Sequence, residues 1–413
     1  MANVNRLKER MLRMAQIGKT ENDGVTRLAL SGEDKQARDL FIQWMEDLGL
    51  HVRYDDFGNI YGRLEGTNSN EPALVIGSHL DSVPKGGKFD GVLGVLAALE
   101  VVESLMENNI QNDRPIEIVS FTNEEGARFT PQMLGSGAVT NLFSKEYTYS
   151  RSDNESHTFK EELQKIGYLG SQDNRINPDD VDAFIEMHIE QGPVLETNNK
   201  TVGIVEGIAG FSWMEVVIAG ETNHSGSTPM ELRRDSLVTA ASVIKAIHQW
   251  AHSRKDGTAA TVGEIKTQPG IMNAIPGTTT FTLDVRHQHK DGFTSCIDEI
   301  REVIKETVHE ESLTCDINEI KTHPPVTFAK SITNLLEEAS KKHDISYHRM
   351  TSGAGHDAMY MNTVVDTAML FVPSIGGKSH CEEENTQWED IEKGITVLYD
   401  TVKRMSNVNQ KQM

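Results

Sequence analysis

Gly77-Ser-His-Leu-Asp-Ser-Val-Pro-Lys-Gly-Gly-Lys-Phe-Asp-Gly-Val-Leu-Gly94 follows an apolar run, Ala73-Leu-Val-Ile76, that reads as a buried strand. His79 and Asp81 then fall at the strand's carboxyl end, where open α/β sheets place their ligand crevices. The glycine-rich loop leads to Asp90 and to an apolar helix running from Gly91 toward Met106. An Asp at a helix start either caps free N–H groups or points at a bound cation. Imidazole and carboxylate suit zinc or manganese, but one His and one Asp also read as a hydrogen-bonded loop and a helix cap.

Outward from this stretch, a second strand-like run, Pro115-Ile-Glu-Ile-Val119, delivers Glu124 and Glu125. Adjacent strand residues point opposite ways. At a strand exit, however, one carboxylate can hold a metal while the other addresses its water, the division that metal-assisted hydrolysis needs. The alternative is a solvated surface pair. Phe184-Ile-Glu-Met-His-Ile-Glu-Gln-Gly192 and Ser379-His380 add His188 and His380, so four strand-end signals offer His, Asp, Glu, His and His.

A chain of 413 residues is long for one domain and suggests two. Lys and Arg number 40 against 62 Asp and Glu, a net charge of −22, which argues against nucleic acid and anionic membrane surfaces as partners. An anionic substrate then needs a local cationic site. Cys296, Cys315 and Cys381 have no paired spacing and argue for a reducing compartment. The charged start, Asn5-Arg-Leu-Lys-Glu-Arg-Met11, is unlike a signal peptide, and no apolar run approaches the ~20 residues of a membrane span. The expected location is cytoplasmic.

In chain order, Arg6 to Ile17 and Glu33 to Leu48 read as helices, Val52 to Tyr61 as a strand, and 141–180 as polar with one helix from Phe159 to Ile166. Alternating strands and helices give an α/β fold with a mostly parallel sheet and helices on both faces. Near residue 211 the texture changes. Strand Trp213 to Ala219, helix Asp235 to Trp250, strand Thr280 to Arg286 and helix Ser295 to Val308 suggest an inserted α+β domain. The expected division is 1–210 with 327–413, and 211–326. In Thr280 to Arg286, alternation puts Asp284 and Arg286 on one face; guanidinium suits a carboxylate, whether a substrate's or that of Asp284. Arg233 and Arg234 read as structural, pairing with carboxylates such as Asp235, and the polar tail from Met405 as frayed.

Several words resemble the hydantoinase/carbamoylase group of dinuclear-metal amidohydrolases, relatives of the zinc aminopeptidases and aminoacylases. They are Gly24-Val-Thr-Arg-Leu28, Gly77-Ser-His-Leu-Asp-Ser-Val83, Phe89-Asp-Gly91, Glu124-Glu-Gly-Ala-Arg-Phe129, His188-Ile-Glu-Gln-Gly192, His224-Ser-Gly-Ser-Thr-Pro-Met230, Arg233-Arg-Asp235, Ser352-Gly-Ala-Gly-His-Asp357 and Ser379-His380. The resemblance implies a zinc aminopeptidase-like catalytic domain whose insert is a lid and dimerisation domain. It implies two divalent ions per subunit, zinc, manganese, nickel or cobalt, on His79, Asp90, Glu125, His188 and His380, with Asp90 bridging. Glu124 matches the general base and Asp81 the carboxylate that orients His79. Arg286 matches the substrate-carboxylate binder, with Gln191, Asn273, Gly355 and His356 as further contacts. His224 matches the oxyanion stabiliser, supplied by the neighbouring subunit in dimeric members.

The expected activity is hydrolysis of a small anionic ureido acid, either an N-carbamoyl-L-amino acid or allantoate. Thr280 to Arg286 and Phe371 to Gly376 look somewhat like the allantoate enzymes. The alternatives are a di-metal dipeptidase or aminoacylase of the same fold, against which His188 counts where peptidases commonly carry a carboxylate, and a non-enzymatic α/β binding protein.

Overall fold

The computed structural model describes residues 2–407. Four parallel strands form its middle, in the spatial order Ile116–Phe121, Ala73–His79, Val181–Ile189 and Asp366–Val372. Ile60–Leu64 and His51–Tyr54 extend the sheet antiparallel on one side, and Val202–Ile208 on the other. Every residue of Ala73–His79 is buried. Since its side chains alternate, both faces of the sheet are covered there. The helix Val92–Glu107 is apolar on nearly every side and is correspondingly buried almost throughout.

All four parallel strands run the same way, so their carboxyl ends gather His79, the 122–125 segment, His188 with Gln191, and the 373–380 segment at one edge. Gly77 allows this close pairing, because a Cβ there would lie 1.9 Å from the Val119 carbonyl oxygen of the adjacent strand. Gly77→Ala should therefore destabilise the protein by about 1–3 kcal/mol, read as a lowered Tm. An unchanged Tm would mean that these strands can part at no cost.

Four local expectations change. The run from Val52 to Tyr61 is not one strand but a hairpin, because the Asp55 carboxylate accepts hydrogen bonds from Phe57 N–H (2.8 Å), Asn59 N–H (3.0 Å) and the Tyr61 hydroxyl (2.7 Å), locking a turn. The first helix spans Val4–Met14, and the carbonyls of Met14 and Ile17 are taken by the buried Arg27 guanidinium. Met405 ends the helix Trp388–Met405 and is buried rather than frayed; the tail from residue 408 lies outside the described residues. The 141–180 segment holds a second short helix, Lys145–Tyr149, besides Phe159–Ile166.

The chain divides into two compact units, Met1–Glu206 with Phe328–Met413, and Gly207–Thr327. The smaller has an antiparallel sheet in the order Thr314–His323, Gly210–Ala219, Thr278–His287, Ala259–Gln268. Its helices Ser236–Ser253 and Lys290–Glu310 bury Val243, Ile247, Ile300 and Ile304 against Met214, Val216, Phe281 and Leu283. Phe281, Leu283 and Val285 face that core, and the alternation turns Asp284 and Arg286 to the opposite face.

Candidate metal centre

At the carboxyl edge of the parallel strands, Asp90 stands between two groups of donors. Its Oδ1 is 3.1 Å from His188 Nε2 and 3.6 Å from His79 Nε2. Its Oδ2 is 3.4 Å from His380 Nε2, which is itself 3.4 Å from Glu125 Oε2. The ligand atoms of His79, Asp90 and His188 lie within 4.8 Å of one another, as do those of Asp90, Glu125 and His380. Asp90 does not cap the helix that follows: the N-cap is Gly91, in the left-handed region, with no side-chain cap bond. A Cβ at Gly91 would sit 2.3–2.4 Å from the His79 ring.

The imidazoles are oriented for coordination. His79 Nδ1–H donates to the Asp81 carbonyl (3.0 Å) and His188 Nδ1–H to the Ile189 carbonyl (2.9 Å), so both turn Nε2 toward Asp90. The Asp81 carboxylate is used elsewhere than expected. It accepts from the backbone N–H groups of Glu124 (3.2 Å) and Glu125 (3.3 Å), fixing the segment that carries both. Glu124 Oε2 comes to 3.7 Å from His79 Nε2.

The electrostatics call for positive charge. Burial, followed by repulsion from Asp357 and Glu125, pushes the Glu124 carboxyl well above its usual range, and burial with Asp90 does the same to Glu125. Burial also drives the His79 imidazole down to about 4. Burial acts to raise Asp90 too, yet the His188 and His380 imidazoles beside it hold it well below the normal carboxyl value. Glu125 Oε1 and Gln191 Oε1 are buried without a hydrogen-bond partner among the described residues. Buried carboxylates and imidazoles turned inward, with lone pairs to spare, fit a borderline divalent cation.

Gln191, expected at the substrate, donates from Nε2 to Asp90 Oδ2 at 2.8 Å. His356 is buried with its ring 4.5 Å from that of His188, its Nε2 unpartnered among the described residues. Gly355 leaves room beside the Gln132 amide, which would be 2.9 Å from a Cβ there. Two buried carboxylates escaped the sequence reading. Glu186 accepts from Ser78 Oγ (2.6 Å) and Ala358 N–H (3.0 Å), and Glu384 ties Asp90 to Ser379. Glu384 ends the run Glu382-Glu383-Glu384, which reads as solvated surface; its spacing after Ser379-His380 was the only available signal.

Three expected residues lie in the smaller unit. His224 Nδ1 accepts from Gly226 N–H (3.0 Å) and Ser227 N–H (3.2 Å), so neutral His224 carries its proton on Nε2 as an exposed donor. The carbonyl of Asn273 accepts from Ser225 N–H, beside the short ladder pairing Ala274 with His224. Arg286 pairs with Asp284, 2.9 Å from Nη2 to Oδ2, with both partly exposed. Arg233 does not pair with Asp235 but donates to the Ser225 and Thr228 carbonyls, holding the His224 loop, and Arg234 donates to the Ser312 carbonyl. Their guanidinium groups serve backbone acceptors because Asp235 is occupied as the N-cap of the helix Ser236–Ser253.

Comparison with known proteins places the chain in a family. The profile of peptidase family M20/M25/M40 matches residues 75–404. The chain is 40% identical to an N-carbamoyl-L-amino-acid amidohydrolase of Pseudomonas sp. (strain NS671), over 96% of this chain and 97% of the relative. It is 34% identical to an allantoate amidohydrolase of Bacillus subtilis (strain 168), over 95% of each. A hydantoinase/carbamoylase-family amidase from Burkholderia multivorans superposes with a TM-score of 0.92 at 38% identity, covering 97% of each chain. The chain belongs to peptidase family M20/M25/M40 and, within it, to the hydantoinase/carbamoylase group of metal-dependent amidohydrolases.

Proposed function

We propose that this protein hydrolyses the ureido C–N bond of N-carbamoyl-L-amino acids, adding one water and releasing ammonia, carbon dioxide and the free amino acid. The observation that carries this reading is the Asp90 carboxylate, shared between two donor groups with Glu124 alongside. Divalent cations held by His79, Asp90, Glu125, His188 and His380 would polarise the ureido carbonyl and lower the pKa of a water molecule. The donor set accepts zinc, manganese, nickel or cobalt.

Glu124 takes the proton from the attacking water and returns it to the leaving nitrogen, a task suited to a buried carboxyl whose proton affinity is raised. Asp81 fixes that base through its backbone. Gln191 orients Asp90, and Gly355 and His356 line the substrate side. As the resemblance implies for dimeric members, the partner subunit's His224 would supply an Nε2–H donor for the developing oxyanion. Arg286, with Asn273, is the binder for the substrate carboxylate. Arg286→Ala should remove about 1.5–3 kcal/mol of binding to carboxylate substrates, roughly 10- to 100-fold in KM, with a smaller effect on kcat. Unchanged kinetics would remove Arg286 from the substrate site.

Met230, Leu232, Val238, Ile271 and Met272 are exposed apolar side chains of the smaller unit, and they support a homodimer through that unit. Among the described residues no helix is long and apolar enough to cross a membrane. The three unpaired cysteines support a cytoplasmic setting.

Allantoate is the second reading, favoured by the 34% identity to the Bacillus subtilis enzyme. Ammonia release by the manganese-loaded protein separates the two, with a panel of N-carbamoyl-L-amino acids, allantoate and a dipeptide control. Preference for the carbamoyl amino acids supports the proposal and preference for allantoate replaces it. Dipeptide cleavage releases no ammonia and is read as newly freed amino groups; cleavage of the dipeptide alone would leave a peptidase, and inertness toward all three a binding protein.

A further inference from the structure

Asp90 and His380 are far apart in sequence, and the loop that carries His380 has no strand to hold it. His380 itself is 53% exposed and sits in the left-handed backbone region. Something must fix its distance to Asp90. Glu384, only 2% exposed, is placed to do so. Its Oε1 accepts from the backbone N–H groups of Phe89 and Asp90, both at 3.1 Å, and its Oε2 accepts from the Ser379 hydroxyl at 2.9 Å. The same hydroxyl lies 3.1 Å from Asp90 Oδ2, so one proton serves two carboxylates.

The loop around Asp90 is shaped to receive this carboxylate. A Cβ on Gly87 would lie 1.9 Å from Glu384 Oε1 and 2.1 Å from its Cδ. Gly87 needs no special backbone conformation here, since its φ is not in the left-handed region. What excludes a side chain is the carboxylate itself. We propose that Glu384, seated on Gly87, is a positioning residue that clamps the Asp90 loop to the Ser379-His380 loop and so sets the spacing of the second group of cation ligands. The clamp acts through geometry rather than charge. A glutamine keeps it: the amide oxygen accepts from Phe89 and Asp90, and the amide N–H donates to Ser379 Oγ, leaving the hydroxyl proton for Asp90. Alanine removes every contact.

The inference rests on the cation reading of Asp90 and His380, and the test separates the two. Chelator-stripped wild type, Glu384→Ala, Glu384→Gln, Gly87→Ala and the Gly87→Ala/Glu384→Ala double variant are titrated with manganese against a chromogenic chelator. Far-UV circular dichroism confirms that each is folded. Glu384→Ala and Gly87→Ala should each weaken metal binding about 10- to 100-fold, the usual effect of losing a partner that orients a ligand. The double variant should bind no worse than Glu384→Ala, because both changes break one contact. Glu384→Gln should stay within a few-fold of wild type. Wild-type binding by Glu384→Ala, binding by Glu384→Gln as weak as by alanine, or full additivity in the double variant would each overturn the clamp while leaving the metal centre standing. A wild type that binds no manganese overturns the metal reading itself. Should Glu384→Ala fail to fold, Gly87→Ala with Glu384→Gln carries the same test, since one displaces the carboxylate and the other preserves its contacts.

Discussion

Glu124→Gln is expected to bind metal as the wild type does and to lose about 10²- to 10⁴-fold in turnover, the range for removing a positioned general base. The glutamine is isosteric, and its backbone N–H still meets the Asp81 carboxylate. It cannot accept a proton from water. Glu124 is not one of the residues in the two donor groups around Asp90, so the substitution leaves those ligand atoms in place. Equilibrium metal content should therefore be unchanged, and KM should move far less than kcat. A variant that turns over at near the wild-type rate would mean that another group takes the proton.

Stripping the metal should abolish ammonia release and also soften the fold. Without cations the edge of the parallel sheet gathers Asp90, Glu124, Glu125 and Glu384 in a buried space where they repel one another. Binding that occurs only in the native state stabilises it by about 2.7 kcal/mol when the free ion is at 100 times its Kd. Thermal unfolding of stripped protein should therefore begin at a lower temperature and recover on adding manganese or zinc, in step with activity. Equal Tm values for stripped and reloaded protein, with activity intact in both, would contradict a structural and catalytic role for the ions together.

The parts of this arrangement legible in the sequence are those in which local pattern and tertiary role coincide. Ala73-Leu-Val-Ile76 is apolar because it is buried on both faces, and His79 follows at its end because parallel strands place their ligands there. His188 announces itself as an imidazole at a strand end, whereas His380, in a loop beyond the strand Asp366–Val372, is marked only by the Ser379-His380 word of the resemblance. Asp81 was legible as a partner, but not in which of its oxygens serves His79: the carbonyl does, because the carboxylate is held by the Glu124 and Glu125 backbone. Glu384 was hidden because burial of a third consecutive Glu depends on a long-range contact with Gly87. The hairpin at Asp55 was hidden by its side chain's capture of the turn. In the smaller unit, the outer strands Ala259–Gln268 and Thr314–His323 are largely exposed, so no apolar alternation marks them.

Whether this site uses bound cations to split a ureido bond is decided by titrating metal-free protein with manganese while following ammonia release from an N-carbamoyl-L-amino acid. No ammonia should be released without metal, and the rate should rise to a plateau at two ions per chain. A rate independent of metal, or protein that holds both ions and releases no ammonia from any ureido acid, would contradict that use of the cations.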